Sequence, residues 1–374
     1  MTLKFFSRFP GGNAAAYDID TSGAMPEVRF TSDPCGGVDA LWFHFRLEES
    51  APSPGDNERK IRLIWNFVDG LYGVDDSLSC VPVLMAPGQP WVRLKQGEES
   101  RTPDGQRQLA WTLPYPTPMV EVALSFPYLP GDLSALLKKS REYWIQEPIG
   151  LTQGGRILHR LRSHSASGGG RHPGIYILAR QHGGETPGSW VLDGLLRHFA
   201  QVRKGGYDLW VVPFADLDGC LRGHFGRNGS PVDLDQSWGP EPQRHEARVI
   251  DHDLQRWKTR CNPILALDLQ SPGVSERAGV KGTMTGQADH PLARAETKWC
   301  NVFQSELQPA FAADDFKRNE DEPGSFTAHL RNEHQVPAVK LSIPYAHCGS
   351  NLLTQKNYRE IGQLIAKAIL RKNG

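Results

Sequence analysis

The sequence predicts an α/β domain with a mixed sheet over residues 137–374, preceded by an antiparallel β-sandwich over residues 1–136. Two patterns lead to this division. Up to about residue 136, short apolar runs are separated by polar turns rich in proline, glycine and aspartate, which is typical of an antiparallel sandwich or barrel. From residue 174 onward, apolar strand-like runs alternate with amphipathic helical runs, which is typical of a sheet with helices on both faces.

The N-terminal part contains several candidate strands, covering residues 41–47, 61–67, 81–85, 91–94, 109–113 and 120–126. The third run contains Pro82, which lacks a backbone N–H. That strand therefore belongs at a sheet edge or begins next to the proline. We expect this part of the chain to be a scaffold without chemistry of its own.

The C-terminal part begins with a predicted helix over residues 132–147 and a glycine-rich turn over residues 163–172. Later strands are predicted at 174–178, 209–213, 264–269 and 336–343, and helices at 189–199, 243–258 and 356–370. In sheets of this kind, functional residues collect at the carboxyl ends of the strands. Four polar residues lie at or near such ends: His182, Asp216, Gln270 and Ser342.

The amino-acid composition argues against some classes of binding partner and favours one cellular compartment. Of the 374 residues, 39% are hydrophobic and 22% are charged, with a formal net charge of zero, so neither nucleic acid nor an anionic membrane is expected as a partner. No apolar run approaches the roughly 20 residues of a membrane-spanning helix. Residues 1–12 lack the apolar segment of a secretory signal, and the 6 cysteines are widely spaced. These features favour a reduced, cytoplasmic protein.

His182 and Glu185 are the first candidate metal ligands. They lie on the connection between a predicted strand and a predicted helix, with Gly183 and Gly184 between them. Imidazole nitrogen and carboxylate oxygen are both ligands for zinc, and a tight turn can direct two side chains at this spacing toward one ion. The alternative is a buried histidine that hydrogen-bonds to a nearby glutamate without metal.

The segment 179–190, Ala-Arg-Gln-His-Gly-Gly-Glu-Thr-Pro-Gly-Ser-Trp, closely resembles the zinc-ligand segment of the carboxypeptidase A-type zinc carboxypeptidases. The resemblance is strongest to their cytosolic carboxypeptidase branch. Segments 211–219, 232–238 and 339–345 resemble further motifs of the same family. The resemblance implies a β-sandwich followed by a zinc-carboxypeptidase-like domain, zinc as cofactor, and hydrolysis of C-terminal peptide bonds or amide-linked side chains.

The third zinc ligand of that family is a histidine that follows Asp-Leu at the end of a buried strand. In this chain Gln270 occupies the position, after Asp268 and Leu269. The amide oxygen of glutamine can bind a metal, but it is a weaker donor than imidazole, so weaker zinc binding is expected. The alternatives are that no metal is held, or that another histidine, such as His224, His290 or His347, supplies the ligand.

The residues that grip the substrate's carboxylate in the family, an Asn-Arg pair, are replaced here by Asp235 and Gln236. A substrate carboxylate about 4 Å from Asp235 would meet a repulsion of about 4 kcal/mol at an effective dielectric constant of about 20. Arg227 lies close to the family's oxyanion-stabilising arginine, one position out of register, and a solvated surface arginine is the alternative. Tyr345 either lines the substrate pocket or packs in the core.

Ser342 stands where the family has the glutamate that acts as general base. Its hydroxyl cannot usefully accept a proton near neutral pH, and general base catalysis contributes about 10²–10⁴ in rate. A glutamate from the preceding loop, Glu320, Glu322 or Glu333, is the alternative base.

Three hypotheses follow from these features. The first is a zinc-dependent peptidase or amide hydrolase with altered recognition, acting on a peptide or small amide whose recognised end is neutral or cationic. The second is a catalytically inactive relative that binds a peptide or small ligand in the same cleft. The third is an interaction protein whose working surface is the N-terminal sandwich. The sequence does not indicate an oligomeric state.

Overall fold

The computed structural model describes residues 3–49, 59–66, 68, 76–116, 118–164, 171–203, 206–227, 232–313, 316–319 and 322–371. Among the sequence-based expectations, Phe67, most of the predicted turn at 163–172 and Glu320 lie outside the described residues. None of the helices within these ranges is long and apolar enough to cross a membrane.

The N-terminal region forms two five-stranded sheets. Its strands are β1 (Leu3–Phe6), β2 (Ala16–Asp20), β3 (Glu27–Thr31), β4 (His44–Glu49), β5 (Lys60–Trp65), β6 (Val83–Met85), β7 (Val92–Arg93), β8 (Glu98–Arg101), β9 (Arg107–Pro114) and β10 (Met119–Ala123). The first sheet has the order β1-β4-β10-β6-β7 and the second the order β2-β3-β5-β9-β8. Strand β6 begins directly after Pro82, one of the two positions expected for it.

Aromatic side chains join these two sheets. The rings of Phe30 in β3 and Phe45 in β4 lie 4.8 Å apart, and those of Phe5 and Tyr17 lie 4.4 Å apart. The first sheet is antiparallel throughout, but the second contains one parallel pair, β3 with β5, so the expectation of purely antiparallel sheets is wrong for that pair. The chain leaves β3 to form β4 in the other sheet before it returns as β5, and the return runs in the same direction as β3.

The C-terminal region is built on an eight-stranded mixed sheet. Its elements are α1 (Pro130–Lys139), β11 (Trp144–Leu151), β12 (Ile157–Ser163), β13 (Pro173–Ala179), α2 (Thr186–Val202), β14 (Asp208–Val212), α3 (Leu217–Arg222), α4 (His245–Arg260), β15 (Asn262–Gln270), β16 (Lys281–Thr285), α5 (Ala293–Leu307), β17 (Lys317–Asn319), α6 (Phe326–His329), β18 (Ala338–Ser342), β19 (His347–Cys348), β20 (Asn351–Leu352) and α7 (Gln355–Arg371). The strand order is β11-β12-β14-β13-β15-β18-β16-β17, with a parallel centre from β14 to β18. Strands β19 and β20 form a separate two-stranded sheet.

The predicted helix over residues 132–147 is too long. Helix α1 ends before Ser140, because Arg141 and Glu142 adopt positive φ angles of 47° and 62°, which an α-helix cannot contain. The following residues form the edge strand β11 instead. Glu147 pairs there with Arg160 of β12 in the antiparallel register, and their side chains form an ion pair of 2.7 Å.

Helices cover both faces of this sheet, as expected. Alternate residues of β13 point to opposite faces, so Ile175 and Ile177 join one core while Tyr176 and Leu178 join another. The first core contains residues of α2, α5 and α7 and continues into the N-terminal sheets, and the second contains residues of α4. The predicted domain boundary at residue 136 falls within α1 and stays a prediction.

Candidate metal and substrate site

The candidate ligands lie on a tightly packed turn between β13 and α2. A Cβ atom on Gly183 would lie 2.6 Å from the carbonyl carbon of Gly219, and one on Gly184 would lie 2.6 Å from the ring of Phe225. Both positions therefore require glycine, because the backbone of this turn is pressed against the neighbouring segment. The packing leaves the turn little freedom to move.

Arg180 fixes the start of this turn. Its φ angle is +60°, an uncommon conformation for a side chain of this size, and its guanidinium group is buried. It donates hydrogen bonds to the carbonyl oxygen of Tyr128 at 2.9 Å, to Ser189 Oγ at 3.2 Å and to the carbonyl oxygen of Gly183. These bonds connect the turn to α2 and to the segment before α1. The sequence reasoning did not single out this residue.

His182 lies between two carboxylates. Its Nδ1 is 2.8 Å from Glu185 Oε1, and its Nε2 is 2.7 Å from Asp233 Oδ1. All three side chains are buried. Burial opposes protonation of the ring, but the two carboxylates outweigh burial, so the pKa of His182 lies well above its usual value.

This arrangement fits a metal site. A metal-ligating histidine commonly donates its second ring N–H to a carboxylate, which fixes the ring's orientation, and Asp233 is placed for that role. Glu185 is oriented as well, since its Oε2 accepts a hydrogen bond of 2.7 Å from the backbone N–H of Ser271. Nitrogen and carboxylate oxygen are ligands that zinc takes. The donor set of His182 and Glu185 therefore fits zinc.

Gln270 lies beside this pair but belongs to a different hydrogen-bond network. Its Nε2 donates to Asp268 Oδ2 at 2.8 Å, and its predicted role as a metal ligand, which would use Oε1, stays a prediction. Gln181 Nε2 donates to the same Asp268 oxygen at 2.9 Å and lies 3.1 Å from Asp235 Oδ1. Trp238 Nε1 in turn donates to Gln181 Oε1 at 2.7 Å. Amide side chains thus connect the two buried carboxylates.

Burial raises the pKa values of Asp235 and Asp268. Burial raises the pKa of Asp235 to about 6, against the opposing effects of His182 and Lys340. Burial and the neighbouring Asp235 hold the pKa of Asp268 well above its usual value. Burial lowers the pKa of Lys340, but Asp235 and Glu322 outweigh it, so the net shift is upward. Asp235 therefore faces inward, to Gln181, rather than standing as a free surface charge.

Ser342 ends β18, where it pairs with Gln270 of β15 and with Lys281 of β16. The neighbouring Lys340, two residues earlier on the same face of the strand, binds Glu322 at 2.9 Å. Glu333 is exposed on the π-helical turn 330–334. Among the alternative bases, Glu322 pairs with Lys340, and Lys340 lies on the same face of β18 as Ser342. The role of Ser342 stays a prediction.

Arg227 lies close to the ligand turn. Its guanidinium group donates to the carbonyl oxygen of Pro272, the residue after Ser271. It also lines a cleft of about 400 Å³ that contains carboxylates and arginines together, among them Asp39, Asp216, Arg222, Arg244 and Glu246. The structure therefore places Arg227 between this polar cleft and the Glu185 side of the site, and its catalytic role stays a prediction.

Two of the predicted substrate-binding residues differ in their surroundings. Gln236 is exposed on the 3-10 turn Leu234–Gln236. Tyr345 is buried, and its hydroxyl donates to the carbonyl oxygen of Gly184 at 3.1 Å, so it supports the ligand turn from behind. Both substrate-binding roles stay predictions, and the contact of Tyr345 agrees with the packing alternative.

The alternative histidine ligands have other environments. His224 lines the cleft, His290 accepts a hydrogen bond from the backbone N–H of Leu292, and His347 lies in β19. Within the described ranges, none of these three histidines forms a hydrogen bond with His182 or Glu185.

The sequence alone does not predict a role for Asp233, although it stands three residues before Gln236 in the segment 232–238. A carboxylate near a predicted histidine ligand was the available signal.

Comparison with solved structures matches this fold over nearly the whole chain. A crystal structure of a metallo-carboxypeptidase from Burkholderia cenocepacia has a TM-score of 0.81, with 16% sequence identity over 99% of this chain and 98% of that chain. The fold is that of a metallo-carboxypeptidase. A metallo-carboxypeptidase from Pseudomonas aeruginosa, solved in complex with (2-guanidinoethylmercapto)succinic acid, has a TM-score of 0.79 and 20% identity, covering 100% of this chain and 99% of that one.

Sequence comparison gives the same family resemblance. Mouse cytosolic carboxypeptidase 6 is 25% identical over 65% of this chain and 48% of its own length, and mouse cytosolic carboxypeptidase 1 is 24% identical over 65% and 23%. The chain thus spans half or less of the length of these relatives. A Zymomonas mobilis protein described as uncharacterized is 25% identical over 92% of this chain and 88% of its own. No family model matches. The predicted resemblance to carboxypeptidase A-type enzymes is confirmed.

Proposed function

We propose that this chain is a zinc-dependent peptide or amide hydrolase of the metallocarboxypeptidase type with altered substrate recognition. One observation carries the proposal. The imidazole of His182 meets Glu185 through one ring nitrogen and is anchored by Asp233 through the other. A metal-ligating histidine commonly donates its second ring N–H to a carboxylate, and Asp233 is placed as that partner, which leaves Nδ1 directed at Glu185.

In this proposal His182, Glu185 and Gln270 hold the zinc ion. When bound, zinc acts as a Lewis acid that polarises the substrate carbonyl and lowers the pKa of water to about 7. Asp233 keeps the Nε2 proton on His182, and the Ser271 backbone N–H keeps Glu185 in place. Gln270 adds a neutral oxygen, and its amide nitrogen stays bound to Asp268.

The proposed substrate carries a neutral or cationic group at its recognised end. Asp235 supplies the carboxylate on this side of the site, and Lys340 is the nearby cation. A substrate carboxylate would meet repulsion from Asp235, while an amide or ammonium group would not. Arg227 is placed next to Pro272 and would stabilise negative charge developing on the carbonyl oxygen.

The proposal is tested by metal analysis and a matched substrate panel. Protein purified without chelator should contain one zinc equivalent that is lost in His182→Ala and Glu185→Gln and retained in His252→Ala, which changes an exposed histidine of α4. The panel would use one peptide sequence with a free carboxylate, a neutral amide or an aminoalkyl amide at its C-terminus. We expect turnover of the amide and aminoalkyl forms only. Zinc content that does not depend on His182 contradicts the proposal.

The second candidate is a catalytically inactive binding module, and Ser342 is the observation that favours it. A serine hydroxyl in the general-base position removes the group that would accept a proton. This candidate predicts no turnover of any panel member, together with a thermal shift on adding one of the peptides. It would leave the dependence of zinc on His182 intact, so turnover, and not metal content, separates the two candidates.

We also propose that the protein is cytoplasmic and acts on peptides or small amides. All 6 cysteines are free, as suits a reducing compartment, and two of the relatives with matching sequence are cytosolic carboxypeptidases. Fractionation with a tagged full-length chain would test the compartment, with recovery in the membrane or secreted fraction as the contradicting result.

A further inference from the structure

A second group of metal-ligating side chains lies outside the site described above. Asp251 of α4 and two histidines, His329 and His334, direct one ligand atom each at a common point. The carboxylate oxygen Oδ1 is 2.8 Å from His329 Nε2 and 2.7 Å from His334 Nε2. The two Nε2 atoms are themselves 3.1 Å apart. Both imidazole rings are buried, and Asp251 is half-buried.

The local backbone brings the two histidines together. His329 ends α6, and residues 330–334 continue as a π-helical turn that stops at Gln335, which has a φ of +56°. Residues five positions apart are about 140° apart around an α-helix, so an α-helical continuation would point them away from each other. The wider π-helical turn places them on one side. Such turns occur frequently at functional sites.

The three ligand atoms have the chemistry of a site for a divalent transition-metal ion. Two imidazole nitrogens and one carboxylate oxygen suit zinc and its neighbours, whereas magnesium and calcium prefer oxygen ligands throughout. Ligand atoms of a tetrahedral zinc lie about 3.3 Å apart, so the ion would fit after the edges of the triangle open by about 0.2–0.6 Å. Gln255 Nε2 donates to the other oxygen of Asp251 at 2.9 Å and so orients the carboxylate.

Hydrogen bonds within the protein leave these two histidines poorly satisfied. If both Nε2 atoms carry protons, both N–H groups point at one carboxylate oxygen from 3.1 Å apart. The two Nδ1 atoms are then buried without a hydrogen-bond partner. An ion would accept both Nε2 lone pairs and remove this crowding. The lack of a partner for Nδ1 lowers the expected affinity by about 10- to 100-fold relative to a site with anchored histidines.

We propose that Asp251, His329 and His334 form a second metal site, which binds a zinc-class divalent ion and joins α4 to the π-helical turn before β18. This second site shares no residue with the first proposed metal site, whose ligands are His182, Glu185 and Gln270. The ion would restrain the segment that leads to Ser342, and His329 also packs against Trp238 with their ring centres 5.6 Å apart. The inference does not depend on the proposed hydrolase function, because it concerns different residues and a different measurement.

The test counts zinc ions on the full chain. Protein freed of metal by chelator would be titrated with Zn²⁺ by calorimetry, and with Co²⁺ by absorption spectroscopy to report the ligand set. We expect His334→Gln and Asp251→Asn to lose one ion equivalent, or to bind it at least about tenfold more weakly. The control His252→Gln changes the exposed histidine next to Asp251 and should match the parent.

The same titrations in a His182→Ala, Glu185→Gln background separate this site from the first. We expect that background to retain one ion, which His334→Gln then removes. Far-UV circular dichroism checks that each variant is folded. The double-variant background leaves Asp251, His329 and His334 unchanged, so it tests the second site without altering it. The inference is overturned if that folded background binds no zinc under conditions that saturate the parent, or if folded His334→Gln and Asp251→Asn bind like the parent.

Discussion

The two halves of the candidate site differ in what their side chains are bound to. In the first half, His182 and Glu185 are held by groups outside the pair, Asp233 and the Ser271 backbone, and they contact each other directly at 2.8 Å. In the second half, Gln270 is bound to Asp268 within the same strand. The first half has the donor atoms of the proposed metal site, and the second is built on two buried carboxylates.

The second half is held together by amide donors that bind its carboxylates. The amide of Gln270 supplies a donor that Asp268 uses, and Gln181 supplies the donor that Asp268 shares with Asp235. Two buried carboxylates with raised pKa values then remain beside one lysine, Lys340. The first half should therefore respond to changes mainly in metal binding, and the second mainly in the pH dependence of stability.

The largest expected effect is on the backbone that carries the first half. Arg180→Met would leave the carbonyl oxygens of Tyr128 and Gly183 and the hydroxyl of Ser189 without their buried donor. At about 1–3 kcal/mol for each unsatisfied group, with some relief from no longer burying a charge, we expect a loss of about 4 kcal/mol in the free energy of unfolding. Urea denaturation measures it, with Arg294→Met, an exposed arginine of α5, as the control. A loss equal to that of the control would show that Arg180 does not hold the turn.

The second half should show its effect in the pH dependence of stability. The pKa of Asp235 rises from 3.8 to about 6 on folding, so the folded state binds more protons between these values and the parent loses stability as pH rises through that window. Burying the charged carboxylate of Asp235 costs no stability below about pH 4, and the cost reaches its maximum above about pH 6. Asp235→Asn removes this cost. We expect the variant to gain up to about 3 kcal/mol at neutral pH.

Urea denaturation of the parent and of Asp235→Asn at both ends of the window measures the difference. Asp289→Asn, an exposed aspartate, is the control for the chemical change itself. Equal stability differences at both pH values would mean that the carboxyl of Asp235 is not perturbed by its burial.

A smaller effect is expected when only the anchor of the first half is changed. Asp233→Asn keeps an oxygen that can accept the His182 Nε2–H but removes the negative charge. Loss of such an outer partner typically lowers metal affinity by 10- to 100-fold, or about 1.4–2.7 kcal/mol. Calorimetric titration of the metal-free protein with zinc measures it. Unchanged affinity for the His182-dependent ion would contradict the role assigned to Asp233.

The sequence predicted the sheet and helices where the patterns were long and regular. The apolar run of β13 and the amphipathic run of α7 gave those elements within a few residues. The helix over 132–147 was predicted too long, because backbone conformations such as those of Arg141 and Glu142 leave no periodic signal. The parallel pairing of β3 and β5 depends on which sheet the intervening strand joins, and a strand's own residues do not encode that.

The site was predictable to the extent that its residues are close in sequence. His182 and Glu185 share one turn and were found, while Asp233 is 51 positions from the histidine that it contacts. The partners of Gln270 and Gln181 were not predicted, because their contacts arise from strands and turns that meet only in the folded chain. The Asp251 group was missed for a further reason: histidines five positions apart suggest a common site only if the helix is known to widen into a π-turn.

The smallest effect is expected from restoring the second half. Gln270→His with Ser342→Glu supplies an imidazole ligand and a general base, so zinc should bind more tightly. Turnover of peptides with a free C-terminal carboxylate should nevertheless stay near background, because Asp235 still repels the carboxylate by about 4 kcal/mol, roughly a thousandfold. Adding Asp235→Asn and Gln236→Arg should then raise it, since Gln236 is exposed and can be replaced without disturbing the core.

Steady-state assays on one peptide, with the parent, the double variant and the quadruple variant, measure this series, and Gln236→Lys in place of Gln236→Arg is the matched control. Lysine supplies the same charge without the planar pair of donors that binds a carboxylate at two points, so it should recover less activity. Strong turnover by the double variant alone would show that recognition of the carboxylate does not depend on residues 235 and 236. The missing activity of the parent would then be due only to the third ligand position, Gln270, and the general-base position, Ser342.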